Sequence, residues 1–135
     1  MTFLSRIETP AYTLLRVVAG AMFAMHGVGK LLGFPKPSDI ELFSQMWFGG
    51  VIELIGGALI VMGLFTRVAA FLASGTMAVA YFQFHWKLQL DGFQWLPGVN
   101  DGELSALYAF VFLFVAARGA GPISMDRLLR IERTV

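Results

Sequence analysis

The sequence predicts an all-α, polytopic membrane protein: a left-handed, antiparallel bundle of four transmembrane helices with both termini cytoplasmic. Three observations predict it. Of the 135 residues, 57% are hydrophobic and only 14% are charged, where an ordinary soluble domain carries about 25% charge. Mean hydropathy is +0.70. Apolar stretches of membrane-crossing character also recur four times, each bounded by charge, Gly or Pro. The length allows one domain, covering 1–135.

Charge and cysteine usage narrow the function further. Ten basic against nine acidic residues leave a net charge of +1 with no basic block, which excludes a nucleic-acid partner and makes the lipid bilayer the expected surroundings. The chain has no Cys. It therefore offers no disulfide, thiolate metal site, iron–sulfur ligation or dithiol relay, and no metal site is expected. Any redox role uses a bound molecule or a partner protein.

The first span covers about 12–32, and about 21 residues rise about 31 Å, enough to cross a hydrocarbon core. Ala19-Gly20-Ala21 resembles a signal-peptide cleavage site, but Glu8 and Arg16 sit where a leader needs basic and apolar regions. Ser38 and Glu41 then form the pattern of a capping box, predicting a helix over 39–64. Its first turns, Asp39 to Trp47, are amphipathic and suit the interface, so the spanning part covers about 46–64. The third span, about 67–85, lies between Arg67 and His85-Trp86-Lys87. An aromatic loop follows, suited to the headgroup zone. Asn100-Asp101-Gly102-Glu103 offers a second cap with a carboxylate at its fourth residue, opening a span over about 102–118. Residues 119–135 form a short basic cytoplasmic tail.

Charge orients the bundle. Arg6, Arg16, Arg67, Arg118, Arg127, Arg130 and Arg133 fall on the side of the termini, and Lys30, Lys36 and Lys87 on the other. The positive-inside rule makes the first side cytoplasmic in a cytoplasmic (inner) membrane.

Polar residues inside the spans carry the functional signal. Arg16, Gly20, His26, Gly27 and Lys30 share an arc of roughly 120° on the first helix, and Gly49, Glu53, Gly56, Gly57 and Gly63 one of roughly 140° on the second. The glycines, Gly20 and Gly27 with Gly49, Gly56, Gly57 and Gly63, are candidates for helix packing. Arg16, His26, Lys30, Glu53, His85 and Glu103 are the candidate ligand-binding residues, and all but Arg16 converge on the extracytoplasmic mouth. One reading is structural: Glu53 pairs with His26 or Lys30, Glu103 is a cap, and Arg16 snorkels to phosphates. Another is a pocket whose His and Lys donate to ligand oxygens while Glu53 takes or gives a proton, a site that fits a quinone headgroup. His26 and His85 as axial ligands of a haem form a third, weaker pattern.

The same residues carry a resemblance. Leu15-Arg16, Gly20, Phe23, His26-Gly27 and Lys30-Leu31 in the first span, then Glu53, Gly56-Gly57 and Gly63-Leu64-Phe65-Thr66-Arg67, resemble the DoxX family of small four-helix membrane proteins in order and spacing. Met77, Phe82 and His85 continue the pattern, as do Gly102-Glu103-Leu104, Leu107-Tyr108, Gly121-Pro122 and Ser124-Met125-Asp126. The likeness runs from about Leu14 to Asp126. It implies a membrane subunit of a quinone-linked or thiol-stress oxidoreductase assembly, with soluble or membrane redox partner proteins. Whether this chain is itself an enzyme stays open. A non-catalytic membrane anchor or assembly factor is the alternative, and a small-molecule transporter, which would need a homodimer to enclose a path, is a further one.

Overall fold

The computed structural model describes residues 5–131. Arg133 and the end of the predicted basic tail lie outside the described residues. Among the described residues the chain is all-helical. Helix α1 spans Glu8–Leu32, α2 Gln45–Met62 and α3 Thr66–Trp86; α4 spans Glu103–Arg118, and a single turn, α5, covers Met125–Leu128.

Helices α1 to α3, with 25, 18 and 21 residues, are long and apolar enough to cross a membrane. The 16 residues of α4 rise only about 24 Å. Phe71 and Phe110 are 64% and 73% exposed, a placement that suits lipid tails better than water. The chain is a multi-pass membrane protein.

Each helix end has a local cause. Helix α1 carries Glu8 in its first turn and Lys30 in its last, both favourable to the helix dipole, and stops at Gly33, whose φ is +63°. Helix α2 begins at Ser44, whose hydroxyl accepts from the Trp47 amide. It ends at Gly63, at φ +67°, where the Gly63 and Leu64 amides return to the Ile60 and Leu59 carbonyls in a Schellman pattern. Lys87, at φ +53°, ends α3.

One expected helix start and one expected cap are corrected. The capping box at Ser38 and Glu41 does not form, and residues 39–44 are not helical. Phe43 sits at φ +63°, which breaks the helix before Ser44, and its ring packs against Trp47 at 5.2 Å. Helix α4 starts at Glu103, one residue from the expected 102, but no side chain caps it. The Asn100 side chain instead accepts from the Gly102 amide at 2.8 Å, a tight local turn that competes with a cap.

Helix α1 packs along α2 and α3 along α4, and the middle of α2 meets α3. Between the pairs lie Phe23, Ile60, Ala70, Ala73, Phe112 and Val115, all fully buried. The α1–α2 seam is built on glycine. A Cβ on Gly57 would stand 2.5 Å from the Ala24 nitrogen and 2.6 Å from the Gly20 carbonyl, and one on Gly27 would collide with the α2 backbone at Leu54 and Gly50. Gly50 faces Leu31 and Lys30 at this seam. Gly56 makes only ordinary contact with Phe23, and a Cβ on Gly49 meets nothing within 4 Å. Gly49 therefore takes no part in helix packing: its neighbour Gly50, about 100° of rotation away, is the residue that faces α1.

A matched pair of substitutions checks this seam. Gly57→Ala is expected to destabilise the protein by about 1–3 kcal/mol, because backbone has to move. Gly49→Ala is expected to be neutral or slightly stabilising, since it relieves glycine's helix penalty in open space. Thermal unfolding of both variants in the same detergent decides it.

Candidate polar intramembrane site

Both α2 and α3 depart from α-helical winding where they carry polar side chains. Helix α2 widens into a π-helical turn at Ile52–Gly56, which contains Glu53. Helix α3 ends in another at Tyr81–Trp86, which contains His85, with the Lys87 amide reaching back to the Phe82 carbonyl. Such turns re-aim side chains and are common at functional sites. Helix α2 is widened there, not broken.

Between the four helices, at the end away from the termini, is a cavity of about 330 Å³. His26 and Lys30 of α1, Glu53 of α2, His85 of α3, Asp101, and Ser105 and Tyr108 of α4 line it with apolar Phe23, Met46, Met77 and Phe84. Its size lies within the range of small-molecule sites, and its lining has their usual form, mostly apolar with a few convergent polar groups.

The polar groups are ordered. Lys30 Nζ donates to Glu53 Oε1 at 2.6 Å, with the Lys30 side chain 27% exposed and that of Glu53 2%. The His85 Nδ1 faces the Asn100 carbonyl at 3.2 Å. A carbonyl can only accept, so Nδ1 carries a proton and Nε2 is left to accept from the Ser105 hydroxyl at 3.2 Å. By the same argument the His26 Nδ1 donates to the Met22 carbonyl at 2.8 Å, and its ring meets Tyr108 edge-on at 6.2 Å.

Two groups are left over. Glu53 Oε2 and the Tyr108 hydroxyl are buried without a hydrogen-bond partner, although Glu53 is 1% and Tyr108 6% exposed. Native proteins leave few buried polar atoms unpaired, and each such atom calls for an explanation. Both residues line the same cavity. An oxygen acceptor and a hydroxyl donor thus await a partner of small size.

Of the six sequence candidates, the structure brings His26, Lys30, Glu53 and His85 together. Arg16 lies ten residues along α1 from His26, about 15 Å away. It is fully buried, and its guanidinium donates to the carbonyls of Ile60, Val61 and Ile123, so it braces helix ends rather than snorkelling to phosphates. Glu103 is exposed and does not line the cavity. At 100° per residue it points away from the face that Ser105 and Tyr108 share. These two were missed, although their spacing of three is that of one helical face, and so was Asp101, which precedes α4 at φ +58°. For a haem, His85 Nε2 would have to give up Ser105. Among the described residues no group of three or more His, Asp or Glu side chains is placed to hold a metal ion.

The pattern of glycines and ionisable residues along α1 to α3 coincides with a known family: the DoxX sequence profile matches residues 11–86. The chain belongs to the DoxX family. An uncharacterized Haemophilus influenzae protein is 40% identical over 116 residues, which cover 83% of this DoxX chain and 85% of that protein. A Bacillus subtilis protein named "Putative oxidoreductase CatD" is 28% identical over 120 residues, or 84% and 82% of the two chains. No solved structure matches this DoxX protein significantly.

Proposed function

We propose that this DoxX protein is a quinone-binding membrane subunit of an oxidoreductase assembly in the cytoplasmic membrane, with its polar cavity toward the outer face. The observation that carries the reading is the pair of unpartnered buried groups, Glu53 Oε2 and the Tyr108 hydroxyl, on one largely apolar cavity. A quinone ring suits this lining: its carbonyls accept from Tyr108 or Lys30, and its flat face suits Phe23 and the methionines. The oxidoreductase name of the Bacillus subtilis relative supports the redox part of the reading, and the excess of arginine on the side of the termini supports the outward placement of the cavity.

A bound quinone would supply the two-electron, two-proton carrier. The chain's own residues bind and manage protons. Tyr108 donates to one ring oxygen, and Glu53 Oε2 is the acceptor for a hydroxyl proton, with Lys30 holding the carboxylate in place. Electrons pass to or from a partner protein, since without Cys the chain ligates no iron–sulfur cluster.

Tyr108→Phe separates a binding role from a structural one. Removing a buried, unpaired hydroxyl should leave thermal stability unchanged or raised. The affinity for an added quinone, read by native mass spectrometry from mild detergent, should fall about 2- to 10-fold. A wild-type protein that binds no quinone, or a Tyr108→Phe variant that binds it undiminished, would overturn the reading. A co-purifying partner protein with no small-molecule adduct would favour the anchor instead.

A further inference from the structure

The polar cavity is not closed on the side of α2 and α3. A second, apolar space of about 360 Å³ runs between these helices and shares Lys30, Met46, Glu53, Met77, Ala80 and Phe84 with it. From Phe84 it follows α3 to Phe71, 13 residues or about 20 Å along the helix axis. Gly49 and Gly75 line it, and a Cβ on either meets nothing within 4 Å. The two missing side chains leave the space between these helices unfilled at both positions. Gln45 at the start of α2 donates to Gln83 near the end of α3, with Gln45 on the groove itself.

We propose that this groove seats the isoprenoid tail of the quinone whose ring occupies the polar cavity, so that the ligand enters sideways from the bilayer between α2 and α3. The inference rests on the quinone reading and deepens it. Two observations favour a tail over a detached lipid chain. The groove is continuous with the cavity, and its inner end is marked by the unpartnered, buried Glu53 oxygen. Its length is that of a chain and not of a second ring. An amphiphile with a hydrogen-bonding head and a long apolar tail satisfies both spaces at once.

The test compares two probes, a quinone ring without a tail and the same ring carrying a polyprenyl tail, on purified protein in one detergent. Leucine at both small positions, Gly49→Leu with Gly75→Leu, fills the groove. Binding of the tailed quinone should fall about tenfold or more, as forced overpacking does elsewhere, while the ring alone binds within about twofold of wild type. Equal binding of both probes to variant and wild type would overturn the groove assignment and leave the ring site standing. Failure of both probes on wild type would overturn the ring site itself. A second measurement needs no variant: a quinone with a photoreactive tail end should label α3 near Phe71 and Leu72. Labelling confined to α1 and α4, or displacement of the probe by phospholipid but not by tailed quinone, would overturn the proposal.

Discussion

Lys30→Met is expected to destabilise the protein by about 3–5 kcal/mol, the usual consequence of stranding one member of a buried ion pair. The asymmetry of the pair sets the direction. Glu53 is almost fully buried, whereas the Lys30 side chain is 27% exposed. Without Lys30, the carboxylate keeps one formerly bonded oxygen and one already unpartnered oxygen in an apolar site. Glu53→Gln should be milder, because a lysine with partial exposure can turn its ammonium outward. The double variant, Lys30→Met with Glu53→Gln, removes both charges and should recover most of the lost stability. It should still fail to bind quinone. A stable but non-binding double variant separates ligand chemistry from helix register, which either single variant confounds. Thermal unfolding and quinone titration of the four proteins provide the test. If Lys30→Met unfolds with the wild type, the pair carries no such role; if the double variant binds normally, Glu53 is not the ligand's acceptor.

The distinction matters because the sequence left both readings of Glu53 open. That a carboxyl on a glycine-lined helix face needs a partner follows from the energetics of a membrane interior. Which partner it takes depends on where α1 and α2 cross, and that crossing is set by Gly27 and Gly57, whose contacts lie on another helix. The long apolar helices and the family were legible for the same reason: hydropathy and the order of glycines and charges are properties of the chain itself. What escaped was non-local or geometric. The segment from Asp39 to Ser44 has a good capping pattern, yet the left-handed Phe43 interrupts it. The π-helical turns at Glu53 and His85 have no signature in composition, although they decide where those side chains point. Ser105 and Tyr108 could have been found by plotting α4 on a wheel, whereas Asp101 precedes α4 at φ +58° and no wheel places it. Glu103, the carboxylate of α4 itself, lies on the opposite face.

The tail shows the same limit, and it carries the second large effect. Asp126→Ala is expected to destabilise the protein by about 2–4 kcal/mol, from the loss of two charge-assisted hydrogen bonds at a helix start. The Asp126 carboxylate, 2% exposed, accepts from the amides of Phe65 at 2.7 Å and Thr66 at 2.9 Å, while its own amide donates to the Gly63 carbonyl at 2.8 Å. A residue some sixty positions away thus caps α3, because Phe65 at φ +47° offers no cap of its own. Arg16 clamps the same turn from the other side, holding the Ile60 and Val61 carbonyls of α2 together with Ile123 just before Asp126. Arg16→Met would strand the Val61 and Ile123 carbonyls, the Ile60 carbonyl keeping the Gly63 amide, and should be comparably damaging, and Arg16→Lys should not rescue it, since one ammonium cannot reproduce the fork of a guanidinium. Because the two side chains share one turn, combining Asp126→Ala with Arg16→Met should lose less stability than the sum of the two. Limited proteolysis should cut beyond Gly119 in both variants before the helices are attacked. Quinone affinity, measured well below the unfolding temperature, should survive, as Arg16 lies about 15 Å along α1 from His26. Loss of binding in Arg16→Met at unchanged stability would be the opposite result, and it would return Arg16 to the ligand site from which its buried carbonyl partners now remove it.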